Sequence, residues 1–258
     1  MIELKTSGEM DAIAAAGVVV ARTLAALRGH ARPDRRLSEL DELAAGLVRD
    51  AGAKPTFLGY HPRFAPTPYP AVICASRNDV VVHGIPGRER LRAGDLLSID
   101  LAVHVDGWCA DSAISFVVGG DDHAAADDLA LIDATERALQ AGIDAACPGK
   151  RLGDIGAAVA AIARGAGFGM VADHGGHGVG RSMHEAPHVP NEGRPGYGLR
   201  LRPGLVFAIE PMLTASGLDE YRYDPDGWTL RTADGSRAAH VEHTIGITED
   251  GPRILTAS

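Results

Sequence analysis

The spacing of apolar positions predicts helices over 7–28 and 38–51. Thr6 and Glu9 stand at capping-box spacing before the first, and the second opens at Ser38 with Asp41 three residues on. From Lys54 to Pro70 the pattern fails, because Pro55, Pro62, Pro66, Pro68 and Pro70 break any regular element, and a loop is expected. Short apolar runs at 71–75 and 80–83 predict strands, and 95–105 with 108–118 a hairpin. An Ala- and Leu-rich stretch from His123 to Ala146 has helical spacing and stops at Pro148-Gly149, and another helix over 152–166 ends at Gly167. Strands return at 168–172, 205–214, 228–232 and 240–248. Helices and strands mix without βαβ alternation, which predicts an α+β fold. Nothing divides the chain, so a single catalytic domain over 1–258 is expected.

The pattern contains an internal echo. Leu91-Arg-Ala-Gly-Asp-Leu-Leu-Ser-Ile-Asp100 matches Leu201-Arg-Pro-Gly-Leu-Val-Phe-Ala-Ile-Glu210 in frame, and Asp111-Ser-Ala-Ile114 matches Glu242-His-Thr-Ile245. Each match sets an acid against an acid. A duplicated half-domain accounts for both, with a pseudo-twofold axis that brings four carboxylates together.

The hairpin can be worked out by counting. Asp106-Gly107 suits a two-residue type I′ turn, so facing residues have numbers that sum to 213. Asp100 then faces Ala113, Asp111 faces Ala102, and the two acids are diagonal neighbours on one face. Their Cα atoms would lie about 7–8 Å apart, within reach of a cation pair spaced by roughly 3.5–4 Å. With His177, Glu210 and Glu242 they make a set of four carboxylates and one imidazole among apolar neighbours. Such a set is costly to bury unless something positive lies between its members. Gly175-Gly-His-Gly-Val-Gly180 lacks the spacing of a dinucleotide fingerprint, and its glycines permit close backbone approach around an exposed His177 ring.

Composition narrows the class. With 45% hydrophobic and 23% charged residues the chain is globular, and its net charge of −9 argues against a general nucleic-acid binder. Cys74, Cys109 and Cys147 are odd in number and lack CxxC spacing, which points to a reducing compartment and hence the cytoplasm. The apolar segment Ile13–Ala21 follows Glu9 and Asp11 rather than a basic stretch, and is read as part of the first helix, not as a signal or membrane span. Oxygen ligands with one imidazole suit Mn, Fe, Co or Zn, and such a centre activates water against an amide or ester. His83 and His184 are spare imidazoles able to donate to a developing oxyanion or a leaving amine.

These residues fall in motifs that resemble those of type I methionine aminopeptidases over essentially the whole chain. The motifs are Asn78-Asp-Val-Val-Val-His-Gly-Ile-Pro86, Gly94-Asp-Leu-Leu-Ser-Ile-Asp100, Asp106-Gly-Trp-Cys-Ala-Asp111, Gly176-His-Gly-Val-Gly180, Ile209-Glu-Pro211 and Val241-Glu-His-Thr244. The resemblance implies the pita-bread fold and removal of the initiator methionine when the second residue is small. It implies that Asp100, Asp111, His177, Glu210 and Glu242 hold two divalent cations (Co, Mn, Fe, Zn or Ni), with Asp111 and Glu242 bridging and Glu210 accepting the proton of the attacking water. His83 and His184 would contact the N-terminal amide and the scissile carbonyl, and Tyr60, Tyr69, Cys74, Met183 and Trp228 would form the methionine pocket. The implied partner is the N-terminal methionine of nascent polypeptides at the ribosome, with no direct nucleic-acid readout, no membrane, and a monomer as the working state.

The chain departs from the family pattern at Gly59–Pro70, where extra residues around 61–69 separate Tyr60 from Tyr69. Met183 stands where an aromatic is common, and Phe57 where a smaller residue is common. The alternatives are an X-Pro-cleaving pita-bread peptidase and a non-catalytic scaffold of the same fold. Pita-bread peptidases that cleave X-Pro bonds share the five ligands but carry an additional N-terminal domain, and non-catalytic scaffolds of this fold lose ligands that are all present here.

Overall fold

In the computed structural model, which describes residues 2–63, 65–171 and 173–257, four α-helices pack against three antiparallel sheets. The helices are α1 (Ser7–His30), α2 (Leu37–Asp50), α3 (Ala126–Ala145) and α4 (Leu152–Gly165). In the first half the strands are β1 (Lys54–Pro55), β2 (Cys74–Arg77), β3 (Val80–Val82), β4 (Leu96–Val105) and β5 (Trp108–Val117). The second half adds β6 (Gly169–Met170), β7 (Gly175–Gly178), β8 (Glu185–Pro190), β9 (Val206–Ile209) and β10 (Met212–Thr214). It continues with β11 (Tyr221–Tyr223), β12 (Leu230–Thr232), β13 (Ala238–His240), β14 (Glu242–Thr248) and β15 (Gly251–Ile254).

The main sheet runs β1-β4-β5-β14-β9-β7-β8, with β15 on β14 and β2 on β4. Smaller sheets are β13-β10-β6 and β11-β12-β3. Helices α1 and α2 pack with the β4–β5 hairpin in one core, and α3 and α4 with β9, β14 and their neighbours in another. The α+β expectation is met.

Thr6 and Glu9 form the expected capping box, with each accepting the other's backbone N–H. The best window of α1 has mean hydropathy 1.7, enough by length and composition to cross a membrane. Its apolar face (Ile13, Ala16, Gly17, Val20, Leu24) instead covers β4 and β5. A Cβ on Gly17 would meet the Leu255 carbonyl oxygen at 1.9 Å, so the helix rests directly on the backbone before the C-terminus.

Helix α2 starts one residue before the predicted Ser38, after Arg36, whose N–H donates to the Glu39 carboxylate at 2.8 Å. Asp41 does not cap. Its Oδ1 accepts the N–H groups of Val72 and Ile73 at 2.8 and 3.0 Å. Those two backbone donors are thereby taken out of the ladder, so the strand expected over 71–75 begins at Cys74 instead.

The hairpin follows the count. Partner numbers sum to 213 from Leu96–Val117 to Val105–Trp108, and Asp106 and Gly107 both have positive φ, 47° and 89°, as a type I′ turn requires. Other strand expectations need correction. The run 205–214 breaks at Glu210-Pro211 into β9 and β10, which lie in different sheets, because Pro211 has no N–H to continue the ladder. The run 240–248 splits likewise at Val241 into β13 and β14. Of 168–172 only Gly169–Met170 pairs, and Ala172 lies outside the described residues. Lys54–Pro55, expected as loop, pairs with the far end of β4.

The echo has a structural counterpart. Along β4-β5-β14-β9 the two matched units lie back to back, and Ser112 faces His243, its own equivalent, across the central pair. One position on, the Asp111 N–H donates to Thr244 Oγ1, and that hydroxyl donates back to the Asp111 carbonyl at 2.8 Å. The match is not perfect in register: extending the β9–β14 ladder sets Glu210 against Glu242, whereas Asp100 faces Ala113.

Candidate metal centre and substrate pocket

Alternation along β4 and β5 turns Asp100 and Asp111 to one face of the sheet. Glu210 and Glu242 reach the same place from the breaks beside β9 and β14. Asn191, buried, donates its Nδ2 to the Glu210 carbonyl at 3.0 Å and holds that break. His177 comes from strand β7. Its flanking glycines permit this, because a Cβ on Gly176 would meet the Ala208 carbonyl oxygen at 2.0 Å. The His177 side chain is 13% exposed, so the expected exposed ring is corrected to a mostly buried one.

The ring is oriented by its Nδ1, 3.1 Å from the Gly178 carbonyl, which can only accept. Nε2 is therefore left facing Glu210 Oε1 at 3.5 Å and Asp111 Oδ2 at 3.9 Å. Two groups of potential ligand atoms emerge, each lying within 4.8 Å of one another: Asp111, His177 and Glu242, and Asp100, His240 and Glu242. Glu242 belongs to both.

Buried carboxylates this close repel. Burial, reinforced by the charges of Asp111 and Glu210, pushes Asp100 well above the usual carboxylate range. Burial and neighbouring acids do the same to Glu210 and Glu242, and burial raises Asp111 to about 7. Asp100 Oδ1, Asp111 Oδ1 and Glu242 Oε1 are buried with no hydrogen-bond partner among the described residues. Orphaned oxygens of this kind are rare because each costs free energy. Three of them converging, beside an imidazole lone pair, fit a divalent cation site of oxygen and nitrogen donors.

All twelve residues singled out from the sequence line one cavity of about 220 Å³, joined by Phe57. At one end are the acids and His177. His184 lies against them, its ring 3.9 Å from that of His177 and stacked on Tyr60 at 5.3 Å. His83 also lines the cavity, with φ 58°, a left-handed conformation that costs a non-glycine residue roughly 1–2 kcal/mol. Its ring meets Trp228 edge-on at 6.2 Å. Burial lowers His83 and His177 to about 4 and His184 to about 3, so all three are neutral donors or acceptors near pH 7. Phe57, Tyr69, Cys74, Met183 and Trp228 are the apolar lining.

The extra residues around 61–69 leave the cavity intact for a specific reason. The Tyr69 N–H donates to the Tyr60 carbonyl and the Gly59 N–H to the Tyr69 carbonyl, both at 2.8 Å, which closes a neck beneath the excursion. The excursion is tied down by Trp228, whose Nε1–H donates to the Thr67 carbonyl at 2.9 Å. Tyr60 and Tyr69 thus stay adjacent to Trp228, with ring centroids 6.5 and 5.1 Å away.

Sequence reasoning missed His240. It is 2% exposed, with Nε2 3.8 Å from Glu242 Oε2. Its place two residues before Glu242, on the same side of an extended segment, was the available signal. For Asn191, outside every element that the pattern predicts, no such signal existed.

The family model for metallopeptidase family M24 matches residues 11–249. Methionine aminopeptidase 1 of Mycobacterium tuberculosis is 51% identical over 263 aligned residues, covering 99% of this chain and 95% of that one. Methionine aminopeptidase of Aquifex aeolicus is 43% identical, covering 99% and 98%. Among solved structures, methionine aminopeptidase from Rickettsia prowazekii superposes with a TM-score of 0.94 at 38% identity and 100% coverage of both chains. Prolidase from Pyrococcus furiosus shares the fold, with a TM-score of 0.77 at 22% identity over 99% of this chain and 65% of that one.

Proposed function

The chain belongs to the methionine aminopeptidases of metallopeptidase family M24, and from that premise we propose how its residues remove an N-terminal methionine. The fold is the pita-bread fold of its structural relatives, and the activity is metal-dependent amide hydrolysis. Asp100, Asp111, His177, Glu210 and Glu242 would hold two divalent cations, with Asp111 and Glu242 contributing charge to both. The observation that carries this assignment is the convergence of three orphaned, buried carboxylate oxygens.

When bound, the cations lower the pKa of a water and polarise the scissile carbonyl. Everything else falls to side chains. Glu210, its carboxylate beside His177, accepts the proton of the attacking water and returns it to the leaving amine. His184, held by Tyr60 and His177, donates to the oxygen on which negative charge develops. His83, fixed in its strained conformation, contacts the amide nitrogen. Tyr60, Tyr69, Cys74, Met183 and Trp228, with Phe57, close around the methionine side chain, and the flexible thioether of Met183 fills its side of the pocket. The confined cavity favours a small second residue. The protein works as a monomeric single domain in the cytoplasm on nascent chains; its unpaired cysteines accord with that compartment.

Metal-dependent melting tests the assignment. Asp111 titrates near 7 in the metal-free fold, and the other three acids are also raised. As pH falls through those values the carboxyls take up protons that a cation must displace. Manganese added to chelator-stripped protein is therefore expected to raise the melting temperature strongly at pH 8 and little at pH 5. A gain as large at pH 5 as at pH 8 would contradict the carboxylate site.

A further inference from the structure

His240 and His177 are set up in the same way. Each directs Nδ1 at a backbone carbonyl, Pro211 at 3.4 Å for His240 and Gly178 at 3.1 Å for His177. Each directs Nε2 at carboxylates, with Glu242 Oε2 3.8 Å from His240 and Glu210 Oε1 3.5 Å from His177. A neutral imidazole has one N–H. For His240 the carbonyl of Pro211 lies within hydrogen-bond range and only accepts, whereas Glu242 is too far to receive a hydrogen bond. The proton therefore sits on Nδ1, and the Nε2 lone pair points at the acids.

A lone pair aimed at buried carboxylates is unfavourable unless a cation lies between them. Asp100 Oδ1 and Glu242 Oε1 beside it have no partner among the described residues either. With bonds of about 2.0–2.2 Å, two donors on one ion lie up to about 4.3 Å apart. The 3.8 Å between His240 Nε2 and Glu242 Oε2 fits that limit, and all three ligand atoms of Asp100, His240 and Glu242 lie within 4.8 Å of one another. From this geometry we infer that His240 is a ligand of the cation held by Asp100 and Glu242, so that each ion of the pair carries one imidazole.

The inference rests on the two-cation reading above and changes one of its consequences. With His177 as the single imidazole, one ion would have a nitrogen ligand and the other only oxygens, and softer metals would favour the first position. A second imidazole removes that difference in donor type. The Pro211–Glu210 break also gains a purpose: it sets the Pro211 carbonyl where it fixes the His240 tautomer.

Cobalt(II) loading of the stripped full chain, followed by paramagnetic proton NMR in water, tests this apart from activity. Imidazoles bound through Nε2 keep an Nδ1–H, seen as a strongly shifted resonance that vanishes in deuterium oxide. Two bound cobalts and two such resonances are expected. His240→Gln should lose one resonance and weaken binding of one cobalt at least about tenfold. Two cobalts with a single resonance in the unaltered protein would overturn the role of His240 and leave the two-cation reading standing. One cobalt at saturation would overturn both. If His240→Gln fails to fold, the count in the unaltered protein still decides, and a folded variant that keeps both resonances refutes the inference.

Discussion

Asp111→Asn is expected to remove peptidase activity, lower the metal bound per chain, and yet stabilise the metal-free protein at pH 8. The first two effects follow from position. Asp111 is 3% exposed on β5, tied to Thr244 of β14 through its backbone, and one of its oxygens is orphaned among the described residues where the acids converge. An amide there keeps the shape but loses the charge proposed to hold two cations together. The third effect follows from the sign of its titration. Burial raises its carboxyl from 3.8 to about 7, so the folded state disfavours the ionised form. That penalty is absent below the unfolded value, grows as pH rises through the interval, and is fully present above about pH 7. Asparagine removes it, and the metal-free variant should melt a few degrees higher at pH 8 and no higher at pH 4, since each kcal/mol shifts melting by roughly 2–4 °C in a chain of this size. Metal analysis, melting curves and turnover of a Met-Ala-Ser peptide provide the check. Near-normal turnover would remove Asp111 from the bridging role.

Glu210→Gln should act on the chemical step. The glutamine carbonyl can still face a cation, and the backbone carbonyl at this position stays anchored by Asn191. What is lost is the proposed proton acceptor, a contribution on the order of 10²–10⁴ in rate. The apolar pocket is untouched, because Phe57, Tyr69, Met183 and Trp228 come from other segments. The expected result is therefore a fall in kcat of about 10²–10⁴ with KM nearly unchanged. A variant retaining a third of the normal kcat would mean that another group takes the proton.

Much of the centre was legible because it rests on the most regular part of the chain. A two-residue turn with both φ values positive fixes one register, and that register sets Asp100 and Asp111 on one face over its whole length. The echo was readable for the same reason: duplicated strands keep duplicated patterns. What escaped the reading lies where the chain leaves a ladder. Glu210 and Glu242 sit at strand breaks that put neighbouring residues into different sheets, and periodicity is blind to a break inside an apolar run. The strand Glu185–Pro190 was missed because Pro187 and Pro190 argue against a ladder, yet it occupies the sheet edge, where a missing N–H is tolerated. His240 was passed over because its neighbours Ala239 and Val241 mark it as one more residue of a buried strand.

One assay tests directly whether the site is cation-dependent and shaped for an N-terminal methionine. Chelator-stripped protein is reloaded with manganese or cobalt and offered Met-Ala-Ser beside an X-Pro dipeptide, with released amino acids quantified. Methionine release that requires the added metal and exceeds X-Pro cleavage in kcat/KM is the predicted result. Equal release without metal, or preference for the X-Pro bond, would contradict it.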